Sequence, residues 1–268
     1  MAEHSFDESV RLQPVDAGVL RGKTTASWAN MVGPFGGMTA AVLLRAIEVH
    51  PERAGAPLAL TVNFAAPIAD GEFDVTARPV RTNRSNQHWF VELVQDGTVT
   101  TTATAVFGLR RDTWSDTEKR MPPVPAPEEV EERGLPPMIA WARNYDMRFI
   151  DGAAPAKGAA PADSSATMLW ARDRMGRPLD FAALTAASDI FYPRVYLRLG
   201  APTPAGTISL TTYFHATDAE IDSAGDDFVL GCASANRFSG GYFDQSAEIW
   251  SRSGTLLATT HQIVYFKT

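Results

Sequence analysis

The feature that most constrains this chain is an internal repeat. Residues 58–64 (LALTVNF) match residues 208–214 (ISLTTYF) at a constant offset of 150 positions. Further on, residues 95–107 (QDGTVTTTATAVF) resemble residues 252–266 (RSGTLLATTHQIVYF), with the turn glycines Gly97 and Gly254 in register. Asp-Gly and Ser-Gly between alternating runs are hairpin signals. Thr, Val, Phe and Trp dominate the runs, as half-buried strands prefer. Each half also opens with one helix-like segment. The first is GGMTAAVLLRAIEVHP, begun by Gly36 and Gly37, with Val42, Leu43, Ala46 and Ile47 at helical spacing and Pro51 as a stop. The second is LDFAALTAASDIFYP, with Asp180 as N-cap and Pro193 as a stop.

A helix plus several antiparallel strands is an α+β unit, and here it occurs twice. One such sheet alone leaves an edge exposed, whereas two units side by side join edges and hide both helices. Between the halves, residues 114–137 are crowded with Pro and Glu, which remove backbone donors and break regular elements. Residues 152–165 are rich in Ala, Gly, Pro and Asp. The expected division is therefore an N-terminal domain over 1–112, a linker and irregular segment over 113–166, and a C-terminal domain over 167–268.

Composition removes several function classes. The 268 residues are 45% hydrophobic and 21% charged, which is ordinary for a globular protein and wrong for a disordered one. Against 31 acidic residues stand 24 Lys and Arg, a net charge of −7, so no basic footprint for nucleic acid is expected. The single cysteine, Cys232, excludes an internal disulfide and a Cys-rich metal site. The five histidines show no metal-ligand spacing, and no phosphate loop of Walker or Rossmann type is present. The start MAEHSFDESV has neither a basic nor an apolar signal region, and no apolar run approaches the ~18 residues of a membrane span, so a cytoplasmic location is expected. Trp28, Trp114 and Trp141 are candidates for an aromatic surface.

On these residues the chain resembles the double-hotdog thioesterases, the group that contains the bacterial type II acyl-CoA thioesterase. Phe35-Gly36-Gly37 is similar to that family's helix opening, and residues 58–64 followed by Pro67 look like its first long strand. In the second half, Ala187-Ser188-Asp189 with Pro193 following is similar to the family's Asp-bearing segment. Thr207 and Gln262 fall where its Thr and Gln sit. The resemblance implies a curved sheet wrapped around a helix in each half, and an acyl-CoA substrate hydrolysed by a water that Asp189, Thr207 and Gln262 hold. It implies no metal or redox cofactor, and a homodimer or larger homo-oligomer. The chain departs from the family in lacking a histidine pair on the first strand, and in having Met38 after the glycines and Ser209 two positions after the Thr. These departures mark a divergent branch. They keep a non-catalytic acyl-ligand binder as an alternative, with a hotdog hydratase as a third reading.

The residue types suit the chemistry. Thioester hydrolysis needs a positioned water, a base beside it and donors for the developing oxyanion. Asp189 on an otherwise apolar helix has small neighbours, and partial burial raises carboxylate basicity. Thr207 by itself reads equally as a β-branched strand residue. Gln262 on an inward strand position needs partners, and on an outward one needs none. Gly36 and Gly37 open a helix whose free N–H groups suit a carbonyl oxygen, or simply form a tight turn. Arg78, Arg81, Arg84 and Arg237 read as solvated charge, although arginine forks suit the phosphates of coenzyme A. His88, His215 and His261 have no G-x-S-x-G partner, and His261 faces away from its neighbour Gln262.

Overall fold

The computed structural model describes residues 3–136, 138–156 and 158–267. Met1, Ala2, Pro137, Lys157 and Thr268 lie outside the described residues, Pro137 being the end of the expected Pro- and Glu-rich stretch. The first half carries β1 (Gln13–Asp16), β2 (Val19–Lys23), β3 (Ala56–Phe64), β4 (Glu72–Thr82), β5 (Asn86–Gln95) and β6 (Thr98–Gly108). Then come β7 (Tyr145–Asp151), β8 (Thr167–Asp173), β9 (Ala205–Phe214), β10 (Val229–Ser234), β11 (Phe238–Ser239), β12 (Tyr242–Ser251) and β13 (Leu256–Phe266). The helices are α1 (Ser5–Ser9), α2 (Gly36–Glu48), α3 (Phe181–Ala187), α4 (Val195–Leu199) and α5 (Asp218–Ala224). Among the described residues the strands form one sheet in the order β1-β2-β4-β5-β6-β3-β9-β13-β12-β10-β8-β7, with β11 on β12.

The two copies of the repeated strand meet at the centre of that sheet. β3 and β9 pair antiparallel with Thr61 opposite Thr211, the residues that the 150-position offset equates, and their hydroxyls are 3.0 Å apart. The halves are thus related by a pseudo-two-fold at this junction. Helix α2 is apolar nearly all round and buried from Gly37 to Leu44, as expected of a helix enclosed on every side. It packs on α3 and against β4 and β5. Each large side chain enclosed in this way contributes roughly 1.5–3 kcal/mol. The architecture is a double hotdog of the α+β class.

Both halves carry a bulge at the same place. Pro57 pairs with Phe107 and Ala59 with Val106, so Leu58 is the extra residue in β3. Thr207 pairs with Val264 and Ser209 with Ile263, so Ile208 is the extra residue in β9. A bulge turns every side chain beyond it to the other face of the sheet. Thr207 therefore shares the inner face with Leu210, although an odd number of positions separates them.

Three expectations are corrected. Helix α3 ends at Ala187, well before Pro193, where the Ser188 hydroxyl donates to the Leu184 carbonyl at 2.9 Å. Asp189 sits in the turn that follows and not on the expected apolar helix. Segment 113–166 is not wholly irregular, because β7 lies within it and closes one sheet edge against β8. Tyr145 and Met147 of β7 are buried, an alternation too short to stand out amid the surrounding prolines. Of the three tryptophans read as surface candidates, Trp28 and Trp141 are buried and Trp114 is 84% exposed. Phe35 explains the two buried ones, since its ring stacks on Trp141 at 4.1 Å and on Trp28 at 6.4 Å.

Candidate active site

The start of α2 and the turn after α3 press against each other, and glycine makes this possible. A Cβ on Gly36 would lie 2.7 Å from Asp189 Oδ2, and one on Gly37 would lie 2.5 Å from the Ala186 carbonyl oxygen. Without those two methyl groups the Asp189 carboxylate reaches the positive end of α2, where the Gly37 amide acts on it. Gly37 thus directs its N–H at a protein carboxylate.

Gln262, buried on the inner face of β13, donates from Nε2 to Asp189 Oδ1 at 2.8 Å. Thr207, re-aimed by the bulge, donates from Oγ1 to Gln262 Oε1 at 3.1 Å. The three polar residues singled out in the sequence are therefore joined hydroxyl to amide to carboxylate, with Gly36 against the far oxygen and the Gly37 amide bonding the carboxylate. All five come together. Packing around Asp189 raises its pKa from the ordinary 3.8 to about 7, against the lowering effects of the Gln262 and Gly37 N–H groups. The residue as a whole is half-buried and lines a cavity.

That cavity, of about 130 Å³, is walled mainly by apolar and aromatic side chains, among them Phe35, Trp141, Phe191, Tyr192 and Tyr196. Asp189, Thr207, Gln262, Gln245 and Asn30 add polar side chains to it. Arg194 fixes one wall from behind. It is fully buried, donates from Nε to the Tyr192 carbonyl at 3.0 Å, and lies 4.3 Å over the Tyr192 ring. Burial pushes its pKa down to about 10, so it stays charged at neutral pH. The Tyr192 hydroxyl in turn donates to the Gly152 carbonyl at 2.6 Å.

Sequence reasoning missed Gln245 and Arg194. A signal for Gln245 was present in the inward positions of YFDQSAEIW, where an amide alternates with Phe and Ala. Other candidates lie elsewhere. His261 is exposed and bonds Ser246 at 3.1 Å, and burial raises the Cys232 thiol to about 11, so it is not a thiolate. None of Arg78, Arg81, Arg84 and Arg237 lines the cavity. No group of three or more His, Cys, Asp or Glu suited to a metal ion occurs among the described residues. No helix there is long and apolar enough to cross a membrane.

Residues 24–108 match the acyl-CoA thioesterase N-terminal domain, and residues 118–266 match the acyl-CoA thioesterase C-terminal domain. The chain belongs to the acyl-CoA thioesterase family. Among solved structures, a hot dog fold protein of unknown function from Alicyclobacillus acidocaldarius is 49% identical to this family member. The match covers 100% of this chain and 99% of that one, at a TM-score of 0.95. Two further structures share the fold at lower identity. The acyl-CoA thioesterase II TesB2 of Mycobacterium marinum is 20% identical, with 98% of each chain covered and a TM-score of 0.73. The tesB protein of Mycobacterium avium subs paratuberculosis is 18% identical, with 98% of each chain covered and a TM-score of 0.77. No curated protein matches this family member.

Proposed function

We propose that this protein is an acyl-CoA thioesterase in which Asp189, Gln262 and Thr207 hold and activate the attacking water. The observation that carries the reading is the hydrogen-bonded row ending on a carboxylate whose pKa is about 7, at the wall of an aromatic-lined cavity. A base is most effective when its pKa lies near the working pH. Ionised Asp189 takes a proton from the water as the water oxygen bonds to the thioester carbonyl carbon. The carbonyl π pair moves onto oxygen. Its return breaks the C–S bond and expels the coenzyme A thiolate, which takes up a proton. Thr207 fixes the Gln262 amide, and Gln262 fixes the carboxylate. Gly36 and Gly37 let that carboxylate sit against the helix start. The division into domains at 112 and 167 belongs to this reading, because it puts Asp189, Thr207 and Gln262 on the C-terminal unit and the helix they face on the N-terminal one.

A thiol-release assay over short, medium, long and aromatic acyl-CoAs tests the proposal. Release of free coenzyme A that depends on Asp189 supports it. Acyl-CoA binding by calorimetry without any thiol release would sink it in favour of a non-catalytic binder.

A further inference from the structure

Gln245 is a buried amide at the site whose nitrogen is unpaired. It is 1% exposed, and its Nε2 has no hydrogen-bond partner. It lies on the inner face of β12 directly opposite Gln262 and lines the same cavity. Trp141 lines that cavity too, and its indole N–H is likewise buried and unpaired. Buried polar groups are nearly always satisfied, so two orphan donors around one cavity call for an explanation.

The fold does not require them. The repeat equates Leu60 with Leu210, and these pair with Ala105 and Gln262 respectively. Ala105 in turn faces Trp89 across β5 and β6, as Gln262 faces Gln245. The same two positions are thus filled by Trp and Ala in one half and by two glutamines in the other. Trp89 is fully paired, its N–H donating to Gln87 Oε1 at 3.0 Å. One glutamine of the second half is paired to Asp189, and the other is left over. The usual donor for a thioester carbonyl in such a geometry, the helix N-terminus, already has its Gly37 amide directed at Asp189.

We propose that the Gln245 side-chain N–H, together with the Trp141 indole N–H, receives the carbonyl oxygen of the thioester as the water adds. A half-turn of the terminal amide exchanges its oxygen and nitrogen without moving the residue, so either end is available to the cavity. As the C–O bond forms, the π pair goes to the oxygen beside Gln245, and its return expels the thiolate. This inference rests on the thioesterase reading above.

The test compares wild type, Gln245→Met, Gln245→Glu and Asp189→Asn in the thiol-release assay, with melting curves and pH profiles. Loss of one oxyanion donor lowers kcat by about 10²-fold or more, and that is the result expected for Q245M. Its KM should stay close to wild type and its pH limb should stay where Asp189 sets it. Its melting temperature should be unchanged or higher, because an unpaired amide has been removed. Q245E should be slower still, since it sets a negative charge beside the oxyanion. A purely shape-filling role predicts the reverse order, as Glu is closer to Gln in shape than Met is. Q245M turnover within about tenfold of wild type overturns the inference, as does Q245E at least as fast as Q245M. Gln245→Leu replaces Q245M if that variant does not fold. A wild type inert on every acyl-CoA sinks the thioesterase reading and this one with it. Loss of activity in D189N with retention in Q245M sinks this one alone.

Discussion

The two halves of this protein have one fold and two fillings. At three equivalent inward positions the N-terminal half has Pro57, Ala105 and Trp89, and the C-terminal half has Thr207, Gln262 and Gln245. The bulge beside the first position occurs in both, at Leu58 and Ile208. In the first half, α2 runs 13 residues and is buried along almost its whole length. In the second, α3 stops after 7 residues and releases the backbone into the turn that carries Asp189. The comparison separates what holds the sheet together from what does chemistry. Side chains that are apolar in the first half are structural in kind. Of the polar replacements at the same places, Thr207 and Gln262 find their partners in each other and in Asp189, and it is Asp189 that meets the start of the other half's helix.

The largest effect that tests this contrast is Asp189→Asn. Removing a general base typically costs 10²–10⁴-fold, and here kcat for thiol release should fall by about 10³-fold with the fold intact. In wild type, kcat/KM should rise with pH through about 7, where the carboxyl loses its proton. A D189N enzyme with near-normal kcat removes Asp189 from the mechanism and leaves the halves equivalent in function.

The same substitution should expose what the polar filling costs. The Asp189 pKa rises on folding, from 3.8 to about 7, so the folded state holds this proton more tightly than the unfolded one. The stability contributed is whole below pH 3.8 and is lost as pH rises through 7. At 1.36 kcal/mol per pKa unit the loss reaches at most roughly 4 kcal/mol. Asn carries no such proton. Denaturant melts of wild type and D189N should therefore diverge between pH 4 and pH 8, with D189N gaining on wild type as pH rises. Parallel curves would mean that Asp189 is well solvated in the folded state.

How much of this was legible in the sequence differs between the levels. The repeat, the turn glycines and the alternating runs were visible because side-chain alternation is a local property. The convergence of Asp189, Thr207 and Gln262 was legible only through a family resemblance, because it depends on pairing between distant strands. Two features were hidden for definite reasons. The bulge at Ile208 looks like uninterrupted strand, yet it decides which face Thr207 takes. The early end of α3 follows from Thr185 and Ser188, whose hydroxyls bond the carbonyls of Phe181 and Leu184, and not from the obvious stop at Pro193. Gln245 was passed over although it alternates with Phe243 and Ala247, because only the register with β13 sets it opposite Gln262.

A transplant sharpens the contrast at smaller scale. Ala105→Gln places an amide opposite Trp89, where the equivalent Gln262 finds Asp189 and Thr207 but where the first half offers no carboxylate partner. A buried amide left unpaired costs about 1–3 kcal/mol, so the melting midpoint should drop accordingly. Turnover per folded molecule should not change, because Ala105 does not line the cavity. An undiminished midpoint would show that the first half tolerates polarity as well as the second does.

The smallest effect expected is that of Thr207→Val, which keeps the shape of the side chain and removes its hydroxyl. In the structure this hydroxyl bonds Gln262 Oε1, and Gln262 in turn bonds Asp189, so Thr207 stands two links from the carboxylate. A net hydrogen bond is worth about 0.5–1.5 kcal/mol, which corresponds to a fall in kcat of about 2- to 12-fold. A loosened Gln262 also lowers the Asp189 pKa less effectively, so the limb of the pH profile should move upward from about 7. A fall beyond about 10²-fold with the limb unmoved gives the hydroxyl a different place, in direct contact with the attacking water. The equivalent residue in the first half is Pro57, which has no hydroxyl at all, yet the bulge beside it is kept. The bulge is therefore a property of the fold, and the C-terminal half sets a hydroxyl at the first inward position beyond it.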